Sequence, residues 1–131
     1  MTETTTMTTT IKLTGRRPIK INPDEWECVA LASYKNHNGE VLCQANRSWY
    51  ADVKVRRHSD GRVIVHGCAR YRTQWQHERN QDGWAGTMLP VGHTEADLMS
   101  AIRNACSQLT LTDGIPDLSD EVIADLDPEE V

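Results

Sequence analysis

A chain of 131 residues, 38% of them apolar and none of them Phe, has material for one modest core and no second domain. Met1–Thr10 is Thr-rich without an apolar run, and nothing nears the ~20 apolar residues of a spanning helix, so neither a leader nor an anchor is expected and a cytoplasmic setting is. The net charge of −5 hides a division: residues 1–81 hold 13 Lys and Arg against 8 Asp and Glu, and residues 82–131 hold Arg103 alone against 11 acids. A basic body with an acidic end points to a polyanion, or to a protein that binds one.

In chain order, residues 1–10 read as a disordered tail, 11–110 as a single α+β domain and 111–131 as an acidic tail. Ile11-Lys12-Leu13 and Ile19-Lys20-Ile21 alternate and carry Lys and Pro18 nearby, as short edge segments do. Asn22-Pro23-Asp24-Glu25 has the letters of a helix start. Trp26 to Tyr34 is nevertheless β-compatible, and Asn36-His37-Asn38-Gly39 resembles a turn into a strand at Glu40–Cys43. One helical turn followed by a strand is the preferred reading, and a helix from Pro23 capped by Gly39 is its rival.

Ser48–Arg57 and Arg62–Gln74 form a hairpin around His58-Ser59-Asp60-Gly61. A three-residue loop with Gly61 left-handed sets Val55 opposite Val65, Val53 opposite Gly67, Ala51 opposite Ala69 and Trp49 opposite Tyr71. Those residues then share one face, while Tyr50, Asp52, Lys54, Arg56, Ile64, His66, Cys68, Arg70 and Arg72 share the other. A two-residue turn would mix the faces, and register follows the buried pattern. After a polar loop between Trp75 and Trp84, a strand runs to Val91. Thr94 and Asp97 then make a capping box, and Leu98, Ala101, Ile102, Ala105 and Leu109 form one apolar stripe. Ser119-Asp120-Glu121-Val122 opens a short amphipathic helix carrying Val122, Ile123 and Leu126, a segment that docks on something because alone it is marginal in water. The expected fold is α+β: an antiparallel sheet of four to six strands with one amphipathic C-terminal helix on one face, and flexible tails.

The cationic sheet face is the first functional candidate. Tyr50, Lys54, Arg56, His66, Arg70 and Arg72 join charges for phosphates to a ring on which a base can stack. A half-buried antiparallel sheet turns a polar face to water in any case, so the pattern is not specific. The acidic segment is the second: Asp113, Asp117, Asp120, Glu121, Asp125 and Asp127 are spaced as a phosphate mimic or an internal competitor for the basic face, or simply as a solubilising end. Catalysis has the weakest support, a Cys68–His66 pair with Asp52 opposite and no oxyanion hole in sight. Cys28, Cys43, Cys68 and Cys106 read as free thiols; with the five His they lack zinc-site spacing, and no Gly-rich phosphate loop is present, so no metal or cofactor is expected.

The runs Gly15–Ile21, Trp26 and Val53–Gly67, with Leu89-Pro90-Val91-Gly92 before a helix, resemble small accessory proteins carried by plasmids, integrative elements and phages. Proteins of that kind often bind nucleic acid or disable host machinery that does, which is analogy. The expectation is a non-enzymatic binding protein of a mobile genetic element that contacts nucleic acid. The alternatives are an inhibitor of host defence, of anti-CRISPR or antirestriction type, that contacts a nucleic-acid-binding host complex through the acidic segment, and a small Cys-dependent hydrolase. An exposed sheet edge leaves a homodimer open, and no membrane partner is expected.

Overall fold

The structure is a computed structural model that describes residues 8–38, 47–74, 77–110 and 114–126. Its elements are β1 (Thr9–Ile11), β2 (Ile19–Ile21), β3 (Trp26–Asn38), β4 (Arg47–His58), β5 (Val63–Thr73), β6 (Gln81–Leu89), α1 (Glu95–Gln108) and α2 (Ser119–Leu126). Strands β3 to β6 form a four-stranded antiparallel meander, and β1 and β2 form a separate two-stranded sheet. The chain is therefore α+β, with its strands divided between two sheets and a second short helix at Ser119–Leu126. Among the described residues, no helix is long and apolar enough to cross a membrane.

The central hairpin has the register that the alternation demands. Val55 lies opposite Val65, Val53 opposite Gly67, Ala51 opposite Ala69 and Trp49 opposite Tyr71. Gly61 supplies the left-handed residue at φ 101°, and its N–H donates to the His58 carbonyl at 3.0 Å. The turn is further held by Asp60, whose carboxylate accepts from the Arg62 backbone at 2.9 Å and from its guanidinium at 2.8 Å.

Asn22–Glu25 is one turn and not a helix. The Asn22 carbonyl accepts from Glu25 N–H, and its side-chain oxygen accepts from Asp24 N–H, both at 2.9 Å. From Trp26 the chain enters a 13-residue strand, so the rival helix does not form. A bulge between Cys28 and Ala30 reverses the sidedness of β3: Trp26 and Cys28 face one way, and Ala30 and Ala32 the other. Asn36–Asn38, expected to open a turn, still pair with β4; Gly39 and Glu40–Cys43 lie outside the described residues.

The inner face of the meander carries the main core. Ala30, Ala51, Val53, Val55, Val65, Ala69 and Ala85 meet Leu98, Ile102 and Leu109 of the α1 segment. The predicted capping box starts α1: Asp97 N–H donates to the Thr94 hydroxyl at 3.1 Å, and Thr94 N–H donates to the Asp97 carboxylate at 2.9 Å. Gly67 permits the closest approach, since a Cβ there would stand 2.8 Å from Leu109 Cδ1 and would also strike the Asp52 carbonyl.

Two expected boundaries move. Thr9 and Thr10, assigned to the N-terminal tail, pair with Ile21 and Lys20 in the small sheet. The acidic end is no mere tail either. Ile115, Leu118, Val122 and Leu126 are buried in the main core beside the β3 side of the sheet, and each such side chain contributes about 1.5–3 kcal/mol. The helix, marginal alone, forms because this face is there to receive it.

The opposite face is only half open. Ile64 points away from the main core, yet it is fully buried beneath Ile11, Leu13, Ile21 and Trp26. The β1–β2 hairpin thus caps one end of the outer face, tied on by Thr14 N–H donating to the Gly86 carbonyl at 2.9 Å. The described residues leave uncovered the area over the middle and far end of β4, β5 and β6.

Candidate nucleic-acid interface

Strand alternation sorts the outer face into transverse rows. One row is Leu31, Lys54, His66 and Gly86; the next is Ser33, Asp52, Cys68 and Trp84; the third is Lys35, Tyr50, Arg70 and Asp82. Five cations, Lys35, Lys54, Arg56, Arg70 and Arg72, therefore share the face with two carboxylates, Asp52 and Asp82. A groove of about 580 Å³ runs between the β1 rim and the sheet, lined by Lys12, Lys54, Arg70 and Trp84 with Asp52 and Cys68 on its floor. A second hollow of about 370 Å³ adjoins it beside Tyr50 and shares Asp52, Cys68, Arg70 and Arg72.

The sequence-predicted residues do gather here, but they are not equally available. Arg72 is committed to the sheet: its guanidinium pairs with Asp82 at 2.8 Å and donates to the carbonyls of Tyr71 and Gln81. Arg56 donates from Nε to His66 Nε2 at 3.0 Å and reaches the Trp26 carbonyl at 3.4 Å. His66 is thereby fixed as a neutral acceptor; burial and the adjacent Arg56 and Lys54 charges depress its pKa to about 4. Lys54 and Arg70 have no ion-pair partner among the described residues, which leaves their charge for a ligand. The Tyr50 hydroxyl donates to Asp52 at 2.7 Å, a bond that with partial burial pushes its pKa up to about 12 and keeps it a donor. Tyr50 as a whole stays 37% exposed.

The sequence sets Trp84 at the boundary between the polar loop and the strand that follows it. It lies instead in the body of β6, opposite Cys68, because β6 begins at Gln81. The residue is 50% exposed on the groove wall, with the Lys12 ammonium over its ring at 4.4 Å from the centroid. A signal was present in the sequence: Trp84 shares its alternation phase with Gly86 and Met88, not with buried Ala85 and Leu89. The described part of the loop is fastened down. Glu78 accepts from Arg47, Tyr71 and Thr73 at 2.9–3.0 Å. Desolvation opposes its charge, but those three donors outweigh it and hold the carboxyl below its ordinary range. Trp75 lies outside the described residues.

The acidic candidates do not assemble into one surface. Asp117 accepts from both the backbone and the hydroxyl of Ser119 at the start of α2, which lowers its pKa. Asp125 accepts from Leu31 N–H at 2.8 Å and so covers part of the open edge of β3. Asp120 sits 3.7 Å from Arg103, and Glu121 is exposed. Asp113 and Asp127 lie outside the described residues. Because α2 packs on the inner face, none of 114–126 competes for the outer groove.

The Cys68–His66 pair lacks the geometry of a nucleophile and its base. The thiol donates weakly to Asp52 at 3.7 Å, and burial with that carboxylate pushes its pKa up. His66 Nε2 is already occupied by Arg56. Cys28, Cys68 and Cys106 are free thiols, and Cys43 is outside the described residues. Among the described residues no cluster of His, Cys, Asp or Glu could hold a metal ion.

No family model, curated protein or solved structure matches this chain.

Proposed function

We propose that the protein is a non-enzymatic binding module that holds single-stranded nucleic acid on the outer face of the β3–β6 sheet. The observation that carries this reading is the pairing of two exposed aromatic residues with uncommitted cations on one face: Trp84 with Lys54 and Arg70 along the groove, and Tyr50 beside Arg70 in the adjoining hollow. Cations alone would suit any polyanion. Exposed aromatic rings can stack on the face of an unpaired base, which a duplex does not offer. Lys12 and Lys35 extend the positive charge on either side.

The alternative of an inhibitor that presents its acidic end as a nucleic-acid mimic has less behind it. Asp117 and Asp125 spend their oxygens inside the protein, and the helix that bears the acids is part of the core.

The test is equilibrium binding of short single strands and of the matching duplex at low salt. The single strand binds more tightly, and Trp84→Ala weakens it by about 1–3 kcal/mol, roughly 5- to 150-fold. Equal affinity of wild type and Trp84→Ala, or a preference for duplex, removes the proposal.

A further inference from the structure

One carboxylate stands where a polyanion site should have none. Asp52 lies on the groove floor between Lys54 and Arg70, and it is half-buried. The other carboxylate of this face, Asp82, is neutralised by Arg72. Asp52 forms no ion pair among the described residues, and phosphate set directly against its carboxylate is repelled, so a strand in this groove runs its backbone along the cations and turns something else toward Asp52.

Two geometric facts say what that is. Asp52, Cys68 and Trp84 form one row across three neighbouring strands. At about 4.8 Å per strand, the backbones of Asp52 and Trp84 are roughly 10 Å apart, a gap that one base resting against the indole can bridge. The carboxylate is also held ready. Oδ2 accepts from the Tyr50 hydroxyl at 2.7 Å and weakly from the Cys68 thiol at 3.7 Å, while Oδ1 receives no hydrogen bond among the described residues. An ionised carboxylate only accepts. Its open oxygen therefore welcomes an exocyclic amino group and faces a carbonyl with repulsion and no bond.

Building on the proposed function, we infer that Asp52 is a specificity-determining residue, which makes the groove select single strands whose bases carry an amino group over strands of uracil or thymine. Cytosine and uracil separate the two cases, because they share one ring frame and differ along one edge: cytosine sets its C4 amino group beside a bare N3, whereas uracil sets its N3–H between two carbonyls that repel an approaching carboxylate. Phosphates, sugars and stacking area are common to both, so the Lys54, Arg70 and Trp84 contributions cancel in the comparison.

The experiment compares oligodeoxycytidine with oligodeoxyuridine of equal length, near neutral pH and at one salt concentration, on the full chain. Wild type binds the cytidine strand about tenfold or more tightly, the range for one hydrogen bond to a charged group. In Asp52→Asn, whose amide both donates and accepts, the ratio falls toward one while the affinity for the uridine strand is kept or raised. Equal affinity of wild type for the two strands, or a cytidine preference that persists in Asp52→Asn, overturns the inference and leaves the nucleic-acid reading standing. Failure of wild type to bind either strand overturns both. The wild-type comparison needs no variant to fold, so it decides the matter by itself.

Discussion

Shortening Val122 to Ala tests whether the acidic end belongs to the core. Val122 is fully buried and packs among the sheet valines and alanines beneath α2. The substitution removes two methyl groups at about 0.8 kcal/mol each, and a residual cavity adds to that. Alanine's better helix propensity returns a few tenths of a kcal/mol. The net expected loss is about 1.5–2.5 kcal/mol, a large part of the ~5–15 kcal/mol that holds a small domain together. In urea, with a slope of about 1–3 kcal/mol/M, the midpoint falls by roughly 1 M and the slope is unchanged. Glu121→Ala, one residue earlier and exposed, stays within about 0.5 kcal/mol of wild type. If Val122→Ala is as silent as Glu121→Ala, residues 114–126 are not packed as described and the extended core is wrong.

Further outcomes follow from the same packing. Gly67→Ala drives a methyl group into Leu109 and the Asp52 carbonyl, so it lowers the urea midpoint by at least as much as Val122→Ala; an unchanged midpoint would refute the close approach of the α1 end to β5. His66, with its pKa depressed from 6.5 to about 4, binds fewer protons folded than unfolded between those values, so stability falls as pH drops through that window by roughly 3 kcal/mol. Chemical denaturation at several pH values should show this loss in wild type and not in His66→Gln, and equal slopes in the two proteins would refute the buried neutral imidazole. The lowered carboxyls Asp60, Asp97 and Asp117 lose their contributions only nearer their own ordinary range, below that window.

What could be read from the sequence was whatever rests on a local repeat. The alternation of Val53, Val55 and Val65 fixed the hairpin register, because any slip would have buried Arg56 and Lys54. The i, i+3, i+4 stripe from Leu98 and the Thr94–Asp97 box fixed α1 in the same way. What could not be read depends on partners distant in sequence. Trp26, Cys28, Ala30 and Ala32 look like one face until the bulge at Cys28–Ala30 is known, and a bulge leaves no letter behind. Ile64 among cations was the one hint that β1 and β2 fold over the outer face, and its weight is visible only beside Ile11, Leu13 and Trp26. Charge counting placed Arg56 and Arg72 on the interface with Arg70. Cross-strand geometry then assigned Arg56 to His66 and Arg72 to Asp82. Trp84 reads from the sequence as the first residue of its strand, three residues after the strand begins, which hides that it sits in the body of β6.

The salt dependence of single-strand binding is the most direct measurement of the central claim, that the outer sheet face holds a nucleic-acid backbone. With three or four phosphates neutralised, log K falls with log salt at a slope of about −2 to −3, which is roughly 20- to 50-fold between 50 and 200 mM. Replacing both Lys54 and Arg70 by Ala flattens that slope by about 1.4, at about 0.7 per lost phosphate contact. An unchanged slope in the double variant, or no binding by wild type at the lowest salt, contradicts the account.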